Sequence, residues 1–250
     1  PYSITRGLLI VDNRVVVDGS RIDFKSVRGI VVRVPQNPAS SLNPYMRVGD
    51  MFVDAIRSKD ENIDKKSAIE VAKKYLKMVN LSESVLDMYP HQLSGGMAQR
   101  VAIAISLSLH PKIVVVDEPT SNLDAYLRSS VGAILRGLVN GGITTVVITH
   151  DLLFASHVCE YVLVMYKGKA VEVGEANDVF LKPLHPYTVE LIEASTLQKR
   201  EWSRKRNSVS ISHGCAYSDR CPYVFDKCAE EPKMVFVSSI HGVACWRVKS

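Results

Sequence analysis

Residues 113–124 read IVVVDEPTSNLD, and the fold turns on them. Ile113–Val116 is a short, continuously apolar run of β-branched residues, the pattern of a strand covered on both faces. It ends in two adjacent carboxylates. Asp117 at the strand tip can hold a hydrated Mg²⁺, a hard ion that seeks oxygen. Glu118 points elsewhere and can orient or deprotonate a water for attack on a γ-phosphate. An isolated Asp-Glu pair is commonly a solvated acidic turn, so the reading rests on what surrounds it.

Downstream, TTVVITH (Thr144–His150) is again a nearly continuous apolar run, ending in His150 ahead of Asp151. Upstream, VRVPQNP (Val32–Pro38) places Gln36 just after another strand. The spacing predicts strands at Val15–Asp18, Ile30–Val34, Ile113–Asp117, Thr144–Thr149, Tyr161–Tyr166 and Lys169–Val173. Helices are expected at Lys65–Val79, Met97–Leu109, Ala125–Val139, Leu152–Cys159 and Pro186–Leu197. In the first of these, Ala68, Ile69, Ala72, Leu76 and Val79 mark one face at helical spacing. Alternating strand and helix argue for an α/β fold with a mostly parallel sheet. Met46–Leu109 has helices but no good strand and reads as a helical insertion.

The strongest local signal in that insertion is LSGGMAQR, Leu93–Arg100, just before an apolar helix. Gly95 and Gly96 let the backbone approach an anion, and Ser94 offers a hydroxyl. The opening helix points unsatisfied N–H groups and its positive end outward, which suits a phosphate chain. A polar turn with a helix cap would use the same Ser-Gly-Gly, but the full octapeptide is more specific.

Composition agrees with a globular chain. The 250 residues are 46% hydrophobic and 23% charged, with 14 Gly and 11 Pro, which excludes collagen-like and wholly disordered classes. No run of ~18 uncharged apolar residues offers a membrane span, and the N-terminus lacks a signal-peptide layout. The net charge of +5 sits in the tail: Thr196–Ser250 carries 10 Lys/Arg against 5 Asp/Glu, leaving 21 against 21 before it. Much of that excess is KREWSRKR, Lys199–Arg206. With little aromatic interleaving, it reads as a solvated linker rather than a nucleic-acid contact.

Gln36, LSGGMAQR, IVVVDEP, TSNLD and TTVVITH, in this order, resemble the nucleotide-binding subunits of ABC transporters over roughly residues 3–183. The resemblance implies a P-loop NTPase-type (RecA-like) core with a mostly parallel sheet and a helical subdomain. It makes Leu93–Arg100 the signature motif, Ile113–Glu118 the Walker B strand, Gln36 the Q-loop glutamine, Ser121–Asp124 the D-loop and His150 the switch histidine. It implies catalytic roles for Glu118, His150 and Gln36. Asp117 and Gln36 would bind Mg²⁺. Ser94, Gly95, Gly96, Gln99 and Asp124 would face ATP held by a second ATPase subunit, a paralogue or another copy. ATP-driven closure, hydrolysis and reopening would then move attached membrane subunits.

A narrower resemblance is to the oligopeptide/dipeptide importer branch, carried by PQNPASSLNP (Pro35–Pro44), YPHQLSGGMAQRVAIA (Tyr89–Ala104), PLHPYT (Pro183–Thr188) and GCAYSDRCPYVFDKC (Gly214–Cys228). It implies two integral-membrane permease subunits, an extracytoplasmic solute-binding protein and a peripheral place on the cytoplasmic membrane face. No nucleic acid is expected. The solute would be di- or oligopeptides, with oligosaccharides or nickel in related importers. The domains expected are a core in 1–45 and 111–183, a helical signature subdomain in 46–110, and a small Cys-rich C-terminal domain in 184–250.

The chain departs from the family in lacking the phosphate loop G-x-x-x-x-G-K-[ST], the strand before it and the adenine-stacking aromatic. Ser3–Leu9 resembles the start of the helix that follows that loop. Either an N-terminal segment is missing from the sequence as given, or the subunit lends only its signature face to a partner. The first is favoured, because Asp117, Glu118, Gln36 and His150 all serve the site the loop would complete. Ala98 and Asn122 are smaller departures, neither removing a phosphate or metal ligand.

Four of five cysteines, Cys215, Cys221, Cys228 and Cys245, lie in the tail as C-x5-C-x6-C-x16-C. A cytosol-facing ATPase keeps thiols reduced, which weighs against disulfides. Structural zinc favours short C-x2–4-C knuckles, absent here. Longer gaps suit a [4Fe–4S] cube, each iron bound by its own sulfur; zinc and unligated thiols remain the alternatives. Cys159 reads as a small core residue. A soluble ABC-type protein of DNA repair or translation is the competing class, but the long coiled-coil insertions or second cassette such proteins carry do not occur.

Overall fold

A computed structural model describes residues 7–19, 21–36, 41–121, 123–196 and 214–248. The expected basic linker, Lys199–Ser212, lies outside them. The chain divides into two units, Pro1–His150 and Asp151–Ser250.

The first unit opens with a hairpin of β1 (Leu8–Val11) and β2 (Arg14–Asp18), extended by β3 (Arg21–Ile22). The two-residue turn, Asp12–Asn13, has φ of 51° and 60°, the left-handed pair that matches the twist of a tight hairpin. Leu8 and Leu9 are therefore in a strand, where the sequence suggested the start of a helix. Local turn chemistry decides this, since an Asp-Asn pair takes positive φ more readily than most residues. Val16, Val17 and Val27 form the small core beneath.

The central sheet is parallel, in the order β4 (Val31–Val34), β5 (Ile113–Asp117), β6 (Thr144–Ile148). Its register aligns Val34 with Val116, and Val116 with Val147. One face is core: Val34, Val114 and Val116 are fully buried. The other carries Arg33, Val115, Asp117, Val146 and Ile148. Val146 and Ile148 remain 46% and 51% exposed, so β6 is not covered on both faces as its apolar run suggested. It is an edge strand among the described residues, and an apolar run does not report which neighbours are present.

Residues 46–110 hold helices α1 (Val48–Arg57), α2 (Lys65–Met78) and α3 (Gly95–Leu107), with no described strand. In α2 the stripe Ala68, Ala72 and Leu76 is fully buried, and Asp64 caps the helix by accepting the Ser67 N–H. α3 is buried nearly all round and packs on α1, α2 and β4. Helix α4 (Ala125–Asn140) joins β5 to β6, capped by Asp124, and packs on β6.

The second unit contains helices α5 (Leu152–Val158), α6 (Ala176–Leu181) and α7 (Pro186–Thr196). Its four-stranded antiparallel sheet has the order β7 (Tyr161–Tyr166), β8 (Lys169–Glu175), β10 (Gly242–Val243), β9 (Val235–Phe236). Tyr166, Tyr187 and Tyr217 pack ring against ring at centroid distances of 4.5–5.5 Å. Glu172, fully buried on β8, accepts the backbone N–H groups of Leu184 and His185 at 2.8 and 2.9 Å and pairs with His241 Nε2 at 2.8 Å. One carboxylate thus ties β8, the PLHPYT turn and the approach to β10 together.

His185 is 1% exposed, and its Nδ1 accepts the Tyr187 N–H at 3.0 Å. Burial pushes the imidazole down to about 4, against a smaller opposite pull from Glu172. The folded unit keeps this histidine neutral, while the unfolded chain protonates it near 6.5. Its contribution to stability is complete above that value and is lost as pH falls toward 4. Denaturant melts of wild type and H185N, which keeps an acceptor for Tyr187, are expected to diverge on acidification. Between pH 7 and 4 the wild type loses on the order of 3 kcal/mol more; parallel losses would refute this account of His185.

Candidate functional site

Parallel strands end together, so β4, β5 and β6 deliver their following residues to one edge, the carboxyl edge where α/β sheets place ligands. Asp117 pairs with Ile148 in the last register position. Glu118 and His150 follow these two strands, and Gln36 follows β4, exposed. All three candidate catalytic positions thus lie at one end of one sheet.

Glu118 is held firmly. Its backbone N–H donates to Ile148 O at 2.7 Å, extending the ladder past the strand, and its carbonyl accepts from the Ser121 N–H and hydroxyl. Its φ of 47° is left-handed, a conformation costing on the order of 1–2 kcal/mol for a residue with a side chain. The strain turns the carboxylate away from the direction of Asp117. Glu118 Oε1 lies 2.9 Å from His150 Nδ1. An ionised carboxylate only accepts, so Nδ1 carries the hydrogen. Oε2 is buried and has no hydrogen-bond partner among the described residues. A buried carboxylate oxygen without a donor is costly, and such an atom marks a place for a water or substrate hydrogen. The side chain of His150 is 83% exposed, open to whatever approaches this edge.

Asp117 faces the opposite way and meets Arg33, whose Nη2 lies 2.7 Å from Oδ2. The pair is a consequence of register: Arg33 is aligned with Val115, so its side chain stands one step from Asp117 on the same sheet face. The sequence reading missed Arg33. Its only signal is a cation inside an apolar strand, VVRV, and the partner is invisible until the register is known.

Ser94 caps α3, its hydroxyl oxygen accepting the Met97 N–H at 3.3 Å. Ser94 and Gly95 are exposed, presenting the helix start outward. Gly96 is buried against α4: a Cβ there would lie 2.8 Å from Leu127 Cδ1. Gln99 departs from expectation. It is 4% exposed, with Nε2 buried and unpartnered among the described residues, so it does not stand on the outward lip with Ser94. Five residues beyond the cap, the helical turn has carried it to the packed side. Asp124 is exposed and accepts the Leu127 N–H at 2.8 Å, so its carboxylate serves as a helix cap.

Among the described residues no three His, Cys, Asp or Glu side chains are grouped to hold a metal ion. The four tail cysteines are therefore not grouped to hold either a zinc ion or the expected [4Fe–4S] cluster. The Cys215 N–H donates to Cys228 O at 3.0 Å, and Cys245, Cys215 and Cys228 each add a small electrostatic push on the Cys221 thiol. Burial, more than those neighbours, pushes the Cys221 thiol up to about 11. It raises Cys215 and Cys245 as well. Neutral at pH 7, these thiols pack as small apolar groups; Cys215 and Cys221 lie in the aromatic core of the second unit. Among the described residues no helix is long and apolar enough to cross a membrane.

The chain matches the family model for ABC transporters over residues 2–121 and that for the oligopeptide/dipeptide transporter C-terminal region over residues 171–228. It is 32% identical over 237 residues to the oligopeptide transport ATP-binding protein OppF of Salmonella typhimurium, covering 90% of this chain and 71% of that protein. To AppD of Bacillus subtilis, also an oligopeptide transport ATP-binding protein, it is 34% identical, covering 97% and 77%. To OppD of Escherichia coli it is 36% identical, covering 80% of this chain and 62% of that protein. Among solved structures, the dimeric post-hydrolysis state of the ATP-binding cassette MJ0796, bound to ADP and Pi, superposes with a TM-score of 0.60. The identity is 28%, over 69% of this chain and 74% of that one. The cbiO1 protein of Clostridium perfringens, part of an ABC transporter complex, gives the same TM-score at 27% identity, over 76% of this chain and 71% of that one.

Proposed function

The chain belongs to the ABC transporter ATP-binding family, in its oligopeptide transport branch, and from that membership we propose that it is an ATP-hydrolysing subunit of a peptide importer. The observation that carries the reading is the Glu118–His150 pair at the carboxyl edge of the parallel sheet, with Glu118 Oε2 buried and without a hydrogen-bond partner among the described residues. A water hydrogen-bonded to that oxygen is oriented for attack on a γ-phosphate and can give its proton to the carboxylate. His150 holds Glu118 through Nδ1 and reaches outward to sense the departing phosphate.

The residues at the strand tips fit Mg²⁺. Asp117 and Gln36 supply hard oxygen donors, and the Asp117 carboxylate already draws a cation, the Arg33 guanidinium. Mg²⁺ is commonly held by one or two carboxylates plus substrate phosphates, so a preformed group of three ligands is not required. When bound, Mg²⁺ would neutralise phosphate charge. Ser94 and Gly95, exposed at the start of α3, offer the helix end that would close over ATP held by a partner subunit. The dimeric cassette MJ0796 supports such a partnership, with a second copy of this chain or a paralogue as the other subunit. The relatives' names support di- or oligopeptides as the cargo. Membrane permeases and an extracytoplasmic binding protein would complete an importer carrying this subunit on its cytoplasmic face.

In the Cys-rich tail, the C-x5-C-x6-C-x16-C spacing is what supports a [4Fe–4S] cluster over one zinc ion. A cube takes one sulfur per iron and does not need all four sulfurs within reach of a single ion. Its role here would be a structural clip; no transport step runs through it.

In the assembled transporter, E118Q keeps the shape and hydrogen bond of residue 118 but removes its basicity. ATP turnover is expected to fall at least about a hundredfold while ATP binding persists. Unchanged turnover would mean that this chain contributes only its signature face. For the tail, anaerobically purified protein is expected to absorb near ~400 nm and to contain about four irons per chain. Stoichiometric zinc without that band would refute the cluster.

A further inference from the structure

Arg33 is the one element of the strand-tip site that the proposed function leaves without a role. It sits mid-strand in β4, flanked by Val32 and Val34, whose side chains are buried on the opposite face. Its own side chain is 65% exposed and turns along the sheet to Asp117, whose side chain is 23% exposed. The 2.7 Å contact is a charge-assisted hydrogen bond to the oxygen set that a divalent ion would need.

We propose that Arg33 is a positioning residue that holds the Asp117 carboxylate as a tethered counter-cation and competes with the divalent ion for it. The inference rests on the reading of Asp117 as the metal-binding carboxylate. The guanidinium cannot lose its charge at any working pH. It can leave Asp117 only by swinging away, and its exposure leaves solvent for it to swing into. Without metal–nucleotide, the pair neutralises a carboxylate that would otherwise stand beside Glu118 with its negative charge unopposed. With metal–nucleotide, a doubly charged ion that also binds phosphate oxygens outcompetes a single exposed guanidinium. An ion pair this accessible is weak, because water and salt screen it. Arg33 therefore sets a threshold for metal entry rather than blocking it. A methionine at this position would leave the carboxylate open and the strand intact, since the side chain makes no buried contact that the fold requires.

The test uses the full chain in its assembled complex, with Mn²⁺ and ADP as the probe and free Mn²⁺ followed by electron paramagnetic resonance. R33M is expected to lower the Mn²⁺ concentration at half-binding by about two- to fivefold, the factor that matches an exposed ion pair. R33K, which keeps the charge, should remain near wild type. D117N should weaken Mn²⁺ binding and abolish the difference between Arg33 and R33M. If R33M binds Mn²⁺ as wild type does, or more weakly, while D117N still weakens binding, the role of Arg33 is refuted and the reading of Asp117 stands. If D117N binds Mn²⁺ as wild type does, the reading of Asp117 fails and the inference falls with it. R33Q carries the same comparison should R33M fail to assemble.

Discussion

The contact between Glu118 Oε1 and His150 Nδ1, 2.9 Å across the ends of two neighbouring strands, organises the candidate site of the first unit. It exists because β5 and β6 run parallel and in register, so Asp117 and Ile148 finish side by side. A parallel sheet needs a crossover between its strands, and α4 supplies it. The left-handed turn at Glu118 then gives two adjacent carboxylates different surroundings. Asp117 continues the strand face and meets a cation; Glu118 turns to the histidine and buries its other oxygen without a partner among the described residues. Two like charges adjacent in sequence thereby acquire opposite surroundings.

The second unit depends on a different carboxylate. Glu172 is fully buried, yet it is surrounded by donors: two backbone N–H groups from the PLHPYT turn and an imidazole nitrogen. Their loss would leave a buried polar group without partners, which a fold tolerates poorly. The short β10 strand, with only two residues in its ladder, gains its place beside β8 partly through His241 on this carboxylate. Cys215 and Cys221 pack into the aromatic core of this unit. Membership in the oligopeptide branch and the match of residues 171–228 to its C-terminal region give this unit its family context.

Much of the site was legible in the chain itself. An apolar run ending in Asp-Glu, another ending in His and a Ser-Gly-Gly before a helix each carry a local physical reason, and their order carries the family. Gln99 was less legible. Its place in LSGGMAQR suggested the outward lip, but five residues of helix rotate it into the packed side, and rotation relative to neighbours is not written in a motif. Arg33 was invisible for the same reason. Its partner lies 84 positions away and is set by strand register. The exposed face of β6 misled in the other direction: Val146 and Ile148 are as apolar as any core strand, while burial depends on which elements lie alongside.

The sequence by itself determined the alternation of strand and helix, the helices of residues 46–110 and the branch of the family, and it nominated Glu118, His150 and Ser94 as site candidates. These follow from periodicity, end-capping and residue chemistry, all of which act over a few neighbouring positions. Only the tertiary structure decided that Glu118 Oε2 is buried without a partner among the described residues, that Arg33 answers Asp117 and that Glu172 is buried among hydrogen-bonding groups from distant segments. Each of those depends on distant segments meeting in a particular register, because hydrogen bonds and ion pairs act only within a few ångströms and the chain reaches those distances by folding.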